Sequence, residues 1–202
     1  MTAAAPPLPT EVWLVRHGAT EWSRAGRHTS RTDLPLEPPG RAAAVEVGRA
    51  LRGVDFTAVL TSPLARARET ADLSGFGPRA QVDDDLREWD YGTYEGRTTA
   101  DIRDERPGWD IWTDGAPGGE TAAAVGARVD RALARLAGVD GRALLFAHAH
   151  LLRVLAARWI GLDAADGRRF AIDTATVSVL GWYREDRVIS RWNARPMAVP
   201  AA

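Results

Sequence analysis

The chain has 202 residues, 45% apolar and 26% charged, with a net charge of −1. That is the balance of a soluble globular protein, and it gives no reason to expect nucleic acid or an anionic membrane as partner. There is no cysteine, which excludes disulfides, a thiol nucleophile and a cysteine-based zinc site. There is no lysine either. A Schiff-base lysine and a P-loop lysine are thereby excluded, and anion binding falls to arginine and its planar fork.

The opening segment, residues 1–10, has no cationic start followed by an apolar core, so it is not a signal peptide. It reads as a disordered leader, and residues 195–202 as a disordered tail, around a single domain at 11–194. No apolar run reaches membrane-spanning length, and a cytoplasmic location is expected. "EVWLVRH" (11–17) is a short apolar run that ends in polar residues. Such continuous runs suit parallel strands covered on both faces. "PPGRAAAVEVGRALRG" (38–53) opens on prolines and closes on glycine, which is helix punctuation. "FTAVLTS" (56–62) is a second strand, and "SPLARARETADL" (62–73) a helix with Ser62 as expected N-cap. An irregular stretch follows, then a long helical pattern at 119–138. "RALLFAHAH" (142–150) is the third strand of this kind, leading into a helix at 151–161. "TVSVLGWYRE" and "RVISRWN" read as two final strands joined by a turn. The predicted fold is α/β: a three-layer α/β/α sandwich with a mostly parallel central sheet.

Ligands of open α/β sheets bind outside the carboxyl ends of the strands. Those ends carry Arg16-His17-Gly18, then Thr61-Ser62 with Arg66, then His148 and His150. The chain has four histidines, and the remaining one, His28, lies in the loop after the first strand. Gly18 is expected to let backbone approach a ligand, and the helix starts near Ser62 and His150 to direct N–H groups at it. Such a site suits an oxygen-rich anion, most simply a phosphoryl group held by arginines and attacked in line by a neutral imidazole. Two arginines beside the histidines would repel a cation, so no metal and no cofactor are expected. A leaving alkoxide needs an acid. Glu88 and Asp90, set among Trp89, Tyr91 and Tyr94, are both candidates, and periodicity does not choose between them.

These residues resemble the histidine phosphatase superfamily, the phosphoglycerate mutase-like group. "LVRHGATEW", "TSPLARARETA", "LREWDYGTYEG", "PGGET" and "FAHAHLLRVL" match its motifs in order over nearly the whole chain. The resemblance implies His17 as the nucleophile that becomes phosphohistidine, Arg16 and Arg66 as holders of the phosphoryl oxygens, and His148 as a donor to that group. It selects Glu88 over Asp90 as the acid. Substrate or phosphate contacts are expected from Ser23, His28, Thr29, Trp89, Tyr91, Ala149 and His150. Relatives commonly have Asn at Ser23, Gly at Ser30 and Gly at Ala149. If the last position needed a positive φ, alanine would cost on the order of 1 kcal/mol.

In 97–117, Asp101, Asp104, Glu105, Asp110 and Asp114 outnumber Arg97, Arg103 and Arg106. Mutase-type relatives carry a longer basic insertion there, so the resemblance is to the phosphatase branch. The expected activity is a metal-independent phosphomonoesterase acting on a small phosphorylated metabolite, such as a sugar phosphate. A phosphoglycerate-type phosphomutase and a non-catalytic phospholigand-binding protein are the alternatives. A homodimer is compatible with the sequence, which marks no face for it.

Overall fold

The computed structural model describes residues 7–196. Residues 1–6 of the expected leader (1–10) and residues 197–202 of the expected tail (195–202) lie outside the described residues. Residues 7–10 of the expected leader lie against the domain. Thr10 donates its N–H to Gly141, Pro7 accepts from Gly138, and the indole of Trp182 donates to Pro9.

The strands are β1 (Glu11–Arg16), β2 (Ala58–Thr61), β3 (Gln81–Val82), β4 (Arg142–Ala147), β5 (Val177–Tyr183) and β6 (Asp186–Ala194). The helices are α1 (Glu21–Arg24), α2 (Pro38–Ala50), α3 (Ala65–Leu73), α4 (Thr99–Glu105), α5 (Ile111–Asp114), α6 (Ala122–Arg135) and α7 (Ala149–Trp159). The sheet runs β3-β2-β4-β1-β5-β6. Its first four strands pair in parallel, and β5 and β6 add antiparallel at one edge.

Side-chain alternation along the strands builds the layers. Val12 and Leu14 of β1, with Ala143 and Leu145 of β4, pack under α6 and α7. Trp13 and Val15, with Leu144 and Phe146, face the other way, toward Val47 of α2 and Ala71 of α3. The fold is therefore the predicted three-layer sandwich. α2 presents Gly40, Ala44 and Val47 as one buried stripe and starts on the expected prolines. α6 is capped by Thr121, whose side chain accepts from the Ala124 N–H.

Two features place the site. The segment after β1 leads to α2 on one face of the sheet, while the one after β4 enters α7 on the other. A crevice opens between two neighbouring strands whose connections diverge. Arg16 pairs with Ala147 in register, so the next residues, His17 and His148, emerge side by side. Gly18 has a different task from the expected one. A Cβ there would lie 2.5 Å from the carbonyl oxygen of Gly40, so glycine admits the first turn of α2 rather than a ligand.

The irregular stretch after β3 contains α4 and α5. α4 is opened by a capping box, Thr98 with Asp101, whose Thr-x-x-Asp spacing is readable in the sequence. Among the described residues no helix is long and apolar enough to cross a membrane.

Candidate active site

His17 is buried, and its Nδ1 lies 2.7 Å from the Gly18 carbonyl. A carbonyl only accepts, so Nδ1 carries the proton and Nε2 presents its lone pair. Burial, with Arg16 and Arg66 nearby, holds the His17 pKa well below the ordinary imidazole value, so the ring is neutral. The loop beyond is fixed by Thr70, which accepts from the Gly18 N–H at 3.0 Å and donates to the Arg66 carbonyl at 2.7 Å.

His148 is the N-cap residue of α7 and has no exposed surface. Its ring centroid is 5.2 Å from that of His17, and its Nε2 is 2.8 Å from the Ser62 hydroxyl. Burial first, then the charge of Arg66, keeps this imidazole neutral as well. A ring protonated on Nδ1 would accept from Ser62 at Nε2 and keep Nδ1–H as a donor. The expected N-cap role of Ser62 gives way to this contact. α3 starts later, at Ala65, and Asp33 accepts the Ala65 N–H at 2.8 Å.

Arg66 is fully buried. Its two terminal nitrogens donate to the carbonyls of Thr29, Ser30 and Thr32, stapling the loop after α1 to α3. Arg16 donates one terminal nitrogen to the Ile172 carbonyl at 2.7 Å. Desolvation lowers both guanidinium pKa values, and Glu88 opposes that as the nearest carboxylate influence. Both stay cationic, as arginine does throughout the physiological range. Among the described residues three buried side-chain nitrogens lack any partner: Arg16 Nε, Arg66 Nε and His148 Nδ1. Buried donors are nearly always satisfied. Three such orphans on residues near one neutral imidazole suit the oxygens of an anion.

Glu88 is buried beside them. Its Oε1 accepts from the Trp89 and Leu151 amides at 2.9 Å, and its Oε2 accepts from the His150 amide at 3.1 Å. The N-terminal amides of α7 therefore hold this carboxylate, and that of α3 holds Asp33. This corrects the expectation that helix amides would face the ligand. Asp90, the rejected acid, is turned to an ion pair with Arg31 and to the Gly92 amide.

Sequence reasoning gave no role to the clamp behind Glu88. Arg128 is buried on α6 and donates to the carbonyls of Asp85, Arg87 and Glu88 at 2.7, 2.8 and 3.3 Å. The rest of its fork binds Glu120 at 2.9 and 2.8 Å, and Glu120 in turn accepts the Asp90 amide. The "PGGET" motif was the available signal for Glu120. Arg128 had none, because it lies within an ordinary helical pattern.

A cavity of about 600 Å³ opens over His17. Ser23, His28, Thr29, Tyr91, Ala149 and His150 line it as expected. Trp89 does not, which is a correction. It has no exposed surface, stacks edge-on against Trp112, and donates its indole N–H to Glu120. Trp109 and Trp112 do reach the cavity. His150 is not on a strand face with His148, since β4 ends at Ala147 and α7 begins at Ala149. The Tyr91 hydroxyl, kept protonated by burial, lies 2.7 Å from His150 Nδ1 and forms a hydrogen bond with it. Ser23 closes a capping box with Thr20 on α1. Ser30 is buried, and its N–H donates to the Glu95 carboxylate. Ala149 is the first residue of α7 and is absent from the positive-φ residues, so alanine there is unstrained. The strain lies instead at Ala175, at φ 54°, whose N–H caps the Arg16 and His17 carbonyls.

The profile of the histidine phosphatase superfamily (branch 1) matches residues 12–195. The chain belongs to that family. It is 42% identical over 173 residues to an acid phosphatase of Mycobacterium tuberculosis, covering 84% of this chain and 85% of the relative. It is 41% identical over 190 residues to sedoheptulose 1,7-bisphosphatase of Saccharomyces cerevisiae, covering 78% and 70%. A solved structure of an open reading frame product from M. tuberculosis superposes with a TM-score of 0.86 at 37% identity, over 93% of this chain and 98% of that one.

Proposed function

We propose that the protein is a phosphomonoesterase of small phosphorylated metabolites, working from one domain at 11–194 through a phosphohistidine on His17 and without a metal ion. One observation carries the reading. Three buried nitrogens lack partners, on Arg16, Arg66 and His148, residues that stand near a neutral imidazole whose Nε2 is free to attack.

In the first step His17 Nε2 forms a bond to phosphorus as the ester P–O bond breaks. Arg16, Arg66 and His148 Nδ1 donate to the equatorial oxygens, already fixed and desolvated before charge develops. The leaving oxygen takes a proton from the Glu88 carboxyl. Oε2 suits this role, because it accepts one amide bond against the two on Oε1. In the second step water attacks phosphorus, Glu88 takes its proton, the P–N bond breaks, and phosphate leaves with His17 restored. Both named enzyme relatives, an acid phosphatase and a bisphosphatase, catalyse net hydrolysis of this kind.

Incubation with p-nitrophenyl phosphate and 3-phosphoglycerate tests the reading. Phosphate release, with acid-labile, base-stable labelling of the protein by a ³²P ester that is lost in His17→Ala, is expected. The variant should lose on the order of 10⁴-fold or more in kcat. Isomer exchange that needs a bisphosphate primer would make the protein a mutase, and full turnover by His17→Ala would end the mechanism.

A further inference from the structure

The stretch "LREWDYGTYEG" ends on Glu95 and Gly96, and the proposed chemistry uses neither. Glu95 is outside the cavity lining. Its carboxylate is taken up by the loop after α1. It accepts the Ser30 N–H at 2.9 Å on each oxygen and the Thr32 N–H at 3.0 Å on Oε1. On the same short segment Arg66 donates to the carbonyls of Thr29, Ser30 and Thr32, at 3.0, 3.2 and 3.1 Å. The backbone of 29–32 is thus held by a carboxylate on its N–H groups and by a guanidinium on its carbonyls.

The link is tightest at one peptide group. The amide between Thr29 and Ser30 accepts from Arg66 through its carbonyl and donates to Glu95 through its N–H. It is trans, so its two polar groups point opposite ways and join the two charges through a single amide. An anion at one end and a cation at the other polarise that amide and strengthen both bonds. Among the described residues Arg66 makes no ion pair with a carboxylate. Its fully buried guanidinium therefore depends on these carbonyls for its position. The neighbouring backbone brings Glu95 to the segment. The His28 N–H donates to the Arg97 carbonyl at 2.9 Å, and the His28 carbonyl accepts from Gly96 at 2.8 Å. Gly96 has φ 78°, and a Cβ there would lie 2.9 Å from the Trp22 ring, so glycine lets α1 pack over this crossing.

We propose that Glu95 is a positioning residue for the reaction. Through the backbone of 29–32 it fixes where the unpartnered Nε and the terminal nitrogens of Arg66 meet the phosphoryl group. The inference rests on the phosphatase reading and adds to it a residue that touches no reacting atom.

The test is a double-mutant cycle between Glu95 and Arg66, read as kcat/KM for p-nitrophenyl phosphate and as the competitive inhibition constant of orthovanadate. Glu95→Ala should lower kcat/KM by about tenfold or more and weaken vanadate by a similar factor. In the Arg66→Ala background the same change should cost about threefold or less, because residues that act as a unit are not additive. Glu95→Gln keeps an oxygen where Oε1 accepts both N–H groups, and should stay within about threefold of the parent. Glu95→Asp keeps the charge but is one methylene short, and should lose about fivefold. It carries the same cycle if Glu95→Ala does not fold. The loss should be equal on alkyl and p-nitrophenyl esters, unlike that of a displaced Glu88. Parent-like kinetics in Glu95→Ala, a loss as large without Arg66 as with it, or a loss confined to alkyl phosphates overturns this inference and leaves the phosphatase reading standing. No turnover of any ester by the parent protein, p-nitrophenyl phosphate included, overturns both.

Discussion

Beside His17, Arg66 is fully buried and commits its terminal nitrogens to three backbone carbonyls. In the cavity lining, Arg103 is exposed and, among the described residues, commits one nitrogen. The same residue type serves two purposes. A buried, pre-paired guanidinium has no choice of position, so its remaining donors meet a developing charge without reorganisation. An exposed arginine keeps its rotamer freedom and its water, so it contributes less to the reaction and more to the choice of substrate. Chemistry is built where the sheet holds the chain, and selectivity where short helices and loops meet over it.

Substitutions on the two sides test this contrast, beginning with the largest effect. Arg66→Ala removes a phosphoryl donor and leaves three carbonyls of the loop at 29–32 without their partner. We expect kcat/KM to fall by about 10²- to 10³-fold, and Tm to drop with roughly 1–3 kcal/mol of lost stability. A variant that stays as stable and active as the parent would contradict this assignment. Glu88→Gln should depend on the leaving group. With an alkyl phosphate kcat should fall about 10²-fold or more, whereas p-nitrophenolate needs little protonation and should lose roughly tenfold or less. Equal losses on both esters would point to a displaced loop rather than a missing acid.

Arg128→Ala probes positioning at a distance. Arg128 touches no reacting atom, but it ties the backbone at 85–88 to Glu120. The expected loss is roughly tenfold in kcat on alkyl phosphates, with less on p-nitrophenyl phosphate, because Glu88 would be misplaced. Stability should fall by about 3 kcal/mol, since Glu120 and three carbonyls lose their donor. Arg128→Lys cannot reproduce the fork and should recover little. An identical loss on both esters would assign Arg128 to folding alone.

The smallest effect at neutral pH comes from the histidines. Burial lowers the pKa of His17, His28, His148 and His150, and His28 reaches about 4. Unfolded imidazoles take protons near pH 6.5, so between the two values the unfolded chain binds more of them. Stability is therefore complete above about pH 6.5 and is lost as the pH falls toward 4. The share of His28 is on the order of 3 kcal/mol over that whole window. His28→Phe keeps a ring against Tyr91 and should flatten the acid decline of Tm. An unchanged decline would show that His28 titrates normally. Activity should persist below pH 6.5, because His17 remains neutral there.

The sequence alone determined the sandwich, the strand ends that carry the chemistry, and the identity of His17, Arg16, Arg66, His148 and Glu88 as candidates. Period-two and helical patterns report burial, and glycine and proline mark the turns, so both are local signals that survive in one dimension. Tertiary structure decided the rest, where the relevant neighbours are distant along the chain. Ser62 left its expected cap for a histidine 86 positions away. Trp89 went to the core because Trp112 and Glu120 surround it. Ala149 is unstrained because β4 ends at Ala147 and α7 begins at Ala149, leaving it in helical conformation. The net charge of residues 97–117 misrepresented the pocket for the same reason, since of its acids Asp110 alone lines the cavity. A carboxylate that pairs on the outer surface, away from the cavity, counts fully in the sequence and far less in the field a substrate meets.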